Sequence, residues 1–157
     1  MRIVTTAFLV FFQSTLLADV AFDTQIQDPY ARAAIKQQRN SAVFMRLENR
    51  DHLSASIVSA SSPVANVVEL HTHINDNGVM RMRPIPRIEL PPGEAVELKP
   101  GGLHIMLLGL REDLVVGQQI ALSLQYNDGS EKTLSVPVRR VMPPKGMHGN
   151  MHPMMKH

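Results

Sequence analysis

Four side chains in the middle of this sequence could share a metal ion: His71, Met82, His104 and Met106. Two thioethers and two imidazoles make a neutral donor set. Thioether sulfur is soft; it suits copper(I) and has little affinity for magnesium, calcium or zinc, while imidazole tolerates both copper oxidation states. Neutral donors can hold a monovalent ion without burying an uncompensated anion. A zinc site would more naturally recruit a carboxylate or a thiolate, and the chain has no cysteine. The bland alternatives are that Met82 fills a gap in the core and that His71 is a hydrogen-bonded surface histidine. His73, Met80, Met45 and His52 read as ordinary packing or surface residues, His73 being the first to reconsider. Residue types and spacing alone lead to a candidate soft-metal site.

A second concentration lies at the C-terminal end. The sixteen residues from Met142 to His157 hold five methionines and three histidines. Pro143, Pro144, Gly146, Gly149 and Pro153 break any regular element there, and no periodic apolar face appears. Such a segment cannot bury enough surface to offset its ordering entropy, so a tail over 142–157 that is mobile without a ligand is expected. Met147, His148, Met151, His152, Met154, Met155 and His157 are compositional candidates for an auxiliary metal site.

Something must hold the body set in place, and the sequence says what. Apolar residues alternate with polar ones in short runs: Val43, Met45 and Leu47; Val68, Leu70, Thr72 and Ile74; Leu103, Ile105 and Leu107; Ile120, Leu122 and Leu124; Leu134, Val136 and Val138. A period of two is the strand signature, because successive side chains leave opposite faces. His104 and Met106 therefore share a face opposite Leu103, Ile105 and Leu107, and His71 lies opposite Leu70 and Thr72. Each candidate ligand is thus expected on the outer surface or rim of its sheet. Asn127-Asp128-Gly129 marks a hairpin between the last two runs. Prolines 84, 86, 91, 92 and 100 exclude a long helix in the middle, and the one helix-like stretch is Tyr30 to Gln38. Seven or so short strands suggest an all-β Greek-key sandwich.

Length and composition agree with one domain of that kind. The chain has 157 residues, 44% apolar and 19% charged, with a net charge of only +2. No Lys/Arg run stands out, so nucleic-acid binding through a basic patch is disfavoured. The absence of cysteine excludes disulfides, thiolate metal sites, cysteine nucleophiles and a lipidated N-terminal cysteine in this sequence. At the start, Met1-Arg2 precedes a largely apolar stretch from Ile3 to Leu17. That stretch is short of the ~20 residues of a membrane span and fits a secretory signal peptide over 1–18. Cleavage is expected after Ala18, with Ala21 as second choice. No stable membrane insertion is expected after cleavage. The domain is then 19–141.

The run of His71, ten residues, Met82, twenty-one residues and His104-x-Met106 resembles the signature of the periplasmic copper chaperone family PCuAC. Val68-Glu69-Leu70-His71, Gly78-Val79-Met80-Arg81-Met82 and Pro100-Gly101-Gly102-Leu103-His104-Ile105-Met106-Leu107 are similar to the family's blocks. So are Ser41 to Asn49 and the closing hairpin, so that the likeness covers roughly 28–138. The resemblance implies a cupredoxin-like sandwich with copper(I) held at an exposed site by His71, Met82, His104 and Met106. It implies a Met/His-rich extension that also holds copper(II). It further implies a non-enzymatic carrier in the periplasm that delivers copper to the binuclear centre of a cytochrome oxidase. Partners would be the copper-bearing oxidase subunit or a thioredoxin-fold metallochaperone. The rival reading is copper sequestration for tolerance, without delivery.

Overall fold

The computed structural model describes residues 20–35 and 38–141. A single helical turn, α1 (Val20–Asp23), leads into ten strands: β1 (Thr24–Arg32), β2 (Asn40–Asn49), β3 (Ala55–Ser61), β4 (Ala65–Asp76), β5 (Val79–Pro84), β6 (Ile88–Leu90), β7 (Ala95–Leu98), β8 (His104–Leu110), β9 (Gln119–Tyr126) and β10 (Glu131–Arg139). The strand order is β5-β4-β8-β2-β1-β10-β9-β3-β6, with β7 also paired to β2. A short parallel contact, Ala31 with Val138 and Arg32 with Arg139, joins the two halves of this path. The remaining strand pairings are antiparallel. The result is a cupredoxin-like Greek-key β-sandwich.

Alternation builds its core. Val43 and Leu47 of β2, Leu70 of β4, and Ile105 and Leu107 of β8 are buried from one half. They join one cluster with Ile57, Ile88, Leu122, Leu124 and Val136 from the other. Each fully buried aliphatic side chain contributes about 1.5–3 kcal/mol relative to exposure, and none of this packing draws on a metal ligand candidate. The Asn127-Asp128-Gly129 hairpin forms as expected between β9 and β10, with Gly129 at φ 87° and its N–H donating to the Tyr126 carbonyl at 3.0 Å.

Two local expectations change. Tyr30–Arg32 is not helical; it closes β1, with Tyr30 paired to Phe44 and Ala31 to Val43. The register shifts between Gln27 and Tyr30, where Asp28 has φ 46° and Pro29 has no N–H to pair. A bulge is where a strand tolerates proline, and pairing on both sides outweighs the weak local helix preference. The proline-rich middle also holds two short strands, β6 and β7, so there are ten rather than about seven. Among the described residues no helix is long and apolar enough to cross a membrane. The signal segment 1–18 and the tail 142–157 lie outside the described residues.

Candidate metal centre

Asn77-Gly78 links β4 to β5 with Asp76 paired to Val79. Both turn residues have positive φ, 53° and 87°, the two-residue hairpin geometry that Asn-Gly favours. That turn sets the register: His73 faces Met82, and His71 faces Pro84. On the other side of β4, His71 pairs with His104 and Glu69 with Met106. Directly paired residues put their side chains on one face, and residues two apart on a strand share a face. All four motif residues therefore lie on the same face of the adjacent strands β5, β4 and β8.

A second turn completes the arrangement. Lys99-Pro100-Gly101-Gly102 closes with the Gly102 N–H donating to the Lys99 carbonyl at 3.0 Å. Gly101 has φ 82°, the position where a type II turn after proline needs glycine. The Gly102 carbonyl then meets two imidazoles, His104 Nδ1 at 3.0 Å and His73 Nδ1 at 3.2 Å. A carbonyl only accepts, so both rings carry their proton on Nδ1 and leave the Nε2 lone pair for a metal.

His71 is held differently. Its Nε2 lies 2.8 Å from the Glu69 carboxylate, and its Nδ1 is buried without a hydrogen-bond partner among the described residues. A carboxylate behind one nitrogen of a histidine that offers the other to a metal is a recurrent supporting arrangement. The rings of His71 and His104 are 5.6 Å apart between centroids.

A cleft of about 250 Å³ opens over this face, lined by His73, Met82, His104 and Met106 together with Phe44 and Arg32 among others. His71 stands beside His104 rather than in the cleft wall. His104 is only 2% exposed: it lies on the expected face, but its position under Phe44, His71 and His73 buries it where an open surface was expected. Burial pulls its pKa below the ordinary imidazole value; charge on His73, His71 and Arg32 acts in the same direction, and the Gly102 hydrogen bond opposes it. That shift favours the neutral ring, the form that ligates. Met82, by contrast, is 50% exposed on the edge strand β5, so the donor set is open on that side.

Of the sequence candidates, the fold brings Met82, His104 and Met106 to one cleft and His71 to its flank. The tail candidates Met147, His148, Met151, His152, Met154, Met155 and His157 lie outside the described residues. His73, an ordinary packing or surface residue by its sequence context, also lines the cleft. Its signal was available, since His71-x-His73 on a strand must share a face. Among the described residues no three histidine or acidic side chains already enclose an ion-sized point. The donors lie side by side on one face of β5, β4 and β8.

A small cupredoxin-like sandwich with a neutral His/Met cluster on one sheet face is the class that fold and site define. The chain belongs to the LpqE-like family, whose profile matches residues 24–138. It is 36% identical over 100 residues to a Leifsonia xyli protein named as a lipoprotein, Lxx21020, covering 63% of this chain and 60% of that one. It is 34% identical over 114 residues to RP573 of Rickettsia prowazekii, covering 70% and 63%. The match therefore spans less than two thirds of the length of either relative. Among solved structures, the copper-bound PCuAC domain from PmoF2 superposes with a TM-score of 0.65 at 21% identity, over 76% of this chain and 94% of that domain. Apo-DR1885 from Deinococcus radiodurans gives a TM-score of 0.61 at 25% identity, over 90% and 98%. Its copper(I) form gives 0.59 at 26% identity, over 73% and 78%.

Proposed function

We propose that this protein is a copper chaperone that binds copper(I) through His71, Met82, His104 and Met106. The observation that carries the reading is the gathering of two thioethers and two imidazoles on one face of β5, β4 and β8, with Glu69 and the Gly102 carbonyl orienting the imidazoles from behind. The fold shared with PCuAC domains, and the copper(I) form of DR1885, support the same cargo. A carrier must release what it binds. Half-exposed Met82 leaves one side of the site open, so an acceptor's donors can replace ligands one at a time. That openness favours delivery over sequestration, and the reading is of a carrier, not an enzyme.

The acceptor in this proposal is the copper centre of cytochrome c oxidase, reached directly or through a thioredoxin-fold metallochaperone, and the compartment is the periplasm. Residues 1–18 serve as the signal peptide, 19–141 as the copper domain and 142–157 as an auxiliary copper(II) or copper(I) site. Cleavage after Ala18 suits the domain better than cleavage after Ala21. The Val20 N–H donates to Asp128 and the Ala21 N–H to Ser130, and the later cut would remove both donors.

X-ray absorption on the copper(I)-loaded protein, with the tail methionines and histidines substituted, tests the site. Mixed sulfur and nitrogen neighbours are expected, and Met106→Leu should lower the sulfur count and the copper(I) affinity. That swap keeps approximate volume, so stability should change by less than ~1.5 kcal/mol. A shell of nitrogen and oxygen alone would rule the assignment out.

A further inference from the structure

We propose that His73 is a third imidazole ligand of the body site, which fits that site for copper(II) as well as copper(I). The inference rests on the copper reading above and deepens it. Its starting point is the Gly102 carbonyl, which accepts from Nδ1 of both His73 and His104. One backbone oxygen thus sets the tautomer of two rings, and both Nε2 lone pairs are left for a metal. The two ring centroids are 5.2 Å apart, and His104 is 5.6 Å from His71 on its other side.

Position singles out His73 further. It lines the cleft with Met82, His104 and Met106 and is the direct cross-strand partner of Met82. Among the described residues its Nε2 makes no hydrogen bond. A surface histidine serving only to fasten β4 to the turn at 99–102 would need its Nδ1 contact alone. That contact does not account for its place in a cleft wall shared with two thioethers and another imidazole.

The chemistry that follows is a change of donor set with oxidation state. Copper(II) favours nitrogen donors in a tetragonal arrangement, whereas copper(I) accepts low coordination numbers and thioether sulfur. His71, His73 and His104 supply three nitrogens for the first. Met82 and Met106 supply the sulfurs for the second. The ion need not leave this face of β5, β4 and β8 for either state to be held.

The test uses the full chain with His148, His152 and His157 changed to Ala, so that tail imidazoles cannot contribute. One equivalent of copper(II) is added, and pulsed electron paramagnetic resonance counts the coordinated imidazoles. Three are expected. Two or fewer in this protein, with residue 73 still histidine, would overturn the inference whatever any variant does.

His73→Gln, which retains a donor for the Gly102 carbonyl, should remove one imidazole from the count. It should weaken copper(II) binding by about tenfold or more while copper(I) binding changes by less than about threefold. An unchanged count and copper(II) affinity in this variant would also overturn the inference. His104→Gln separates the two claims. If it abolishes copper(I) binding while His73→Gln alters nothing, only the role of His73 fails. If neither His104→Gln nor Met106→Leu affects copper binding, the body site itself is refuted, and His73 with it.

Discussion

At the scale of single residues, the proposed copper site is supported by groups outside its donor set. Glu69 is the clearest case: its carboxylate lies 2.8 Å from His71 Nε2 and its side chain is 40% exposed. Removing such a supporting partner commonly costs 10–100-fold in metal affinity, while an exposed side chain contributes little to folding. Glu69→Ala should therefore weaken copper(I) binding by about tenfold, measured by competition with a chromophoric chelator. Its thermal midpoint should stay close to that of the parent. Equal affinity in the two proteins would mean that Glu69 does not support the site through His71. Glu69 was visible in the sequence as the residue two before His71, on the same face. That its carboxylate meets the ring was not visible, because side-chain torsions settle that.

Elements fix which residues can meet at all. The β4–β5 hairpin holds Met82 opposite His73 only because the Asn77-Gly78 turn sets the register. A Cβ at Gly78 would meet no atom within 4 Å, yet its φ is +87°, a region that costs an L-residue roughly 1–2 kcal/mol. Gly78→Ala should lower stability by about that amount in urea unfolding and weaken copper(I) binding through the displaced Met82. If stability falls and copper(I) affinity does not, the turn does not control the position of Met82 at the site. The tail is an element with its own expectation, drawn from residue types alone. Imidazole must be neutral to ligate, and an unperturbed histidine has a pKa near ~6.5. Copper(II) binding by His148, His152 and His157 should therefore be strong at pH 7.5 and weak at pH 5.5. Equal binding at pH 7.5 by the parent and the triple His→Ala tail variant would remove the tail from the function.

For the whole molecule, the separation of core from site has a consequence. The buried cluster of Val43, Leu47, Ile105, Leu107, Leu122 and Val136 contains no metal donor candidate, so folding is expected not to wait for copper, unlike a zinc finger. Chelator-treated protein should keep its β-sheet circular dichroism, and its loss would contradict a preformed scaffold. Leu107→Ala, at a fully buried position, should cost about 2–5 kcal/mol in urea unfolding. The copper(I) affinity of the fraction that remains folded should be nearly unchanged. Leu107 and Met106 are neighbours on β8 with opposite fates, one in the core and one at the cleft, and that contrast follows from the pleat.

The sequence by itself determined what is local. Alternation named five of the ten strands and assigned His104 and Met106 to one face, because a period of two is built into extended backbone. Asn127-Asp128-Gly129 announced its turn, since positive φ is a property of a few residue types. The tertiary structure decided what depends on partners distant in the chain. It placed β4 between β5 and β8 although twenty-one residues separate Met82 from His104. It turned Tyr30–Arg32 into strand through pairing with β2, and it buried His104 beneath neighbours from β2 and β4. It also laid one carbonyl, from Gly102, across both His73 and His104. Strand adjacency and register come from hydrogen bonds and packing between segments, and no single segment's periodicity encodes them.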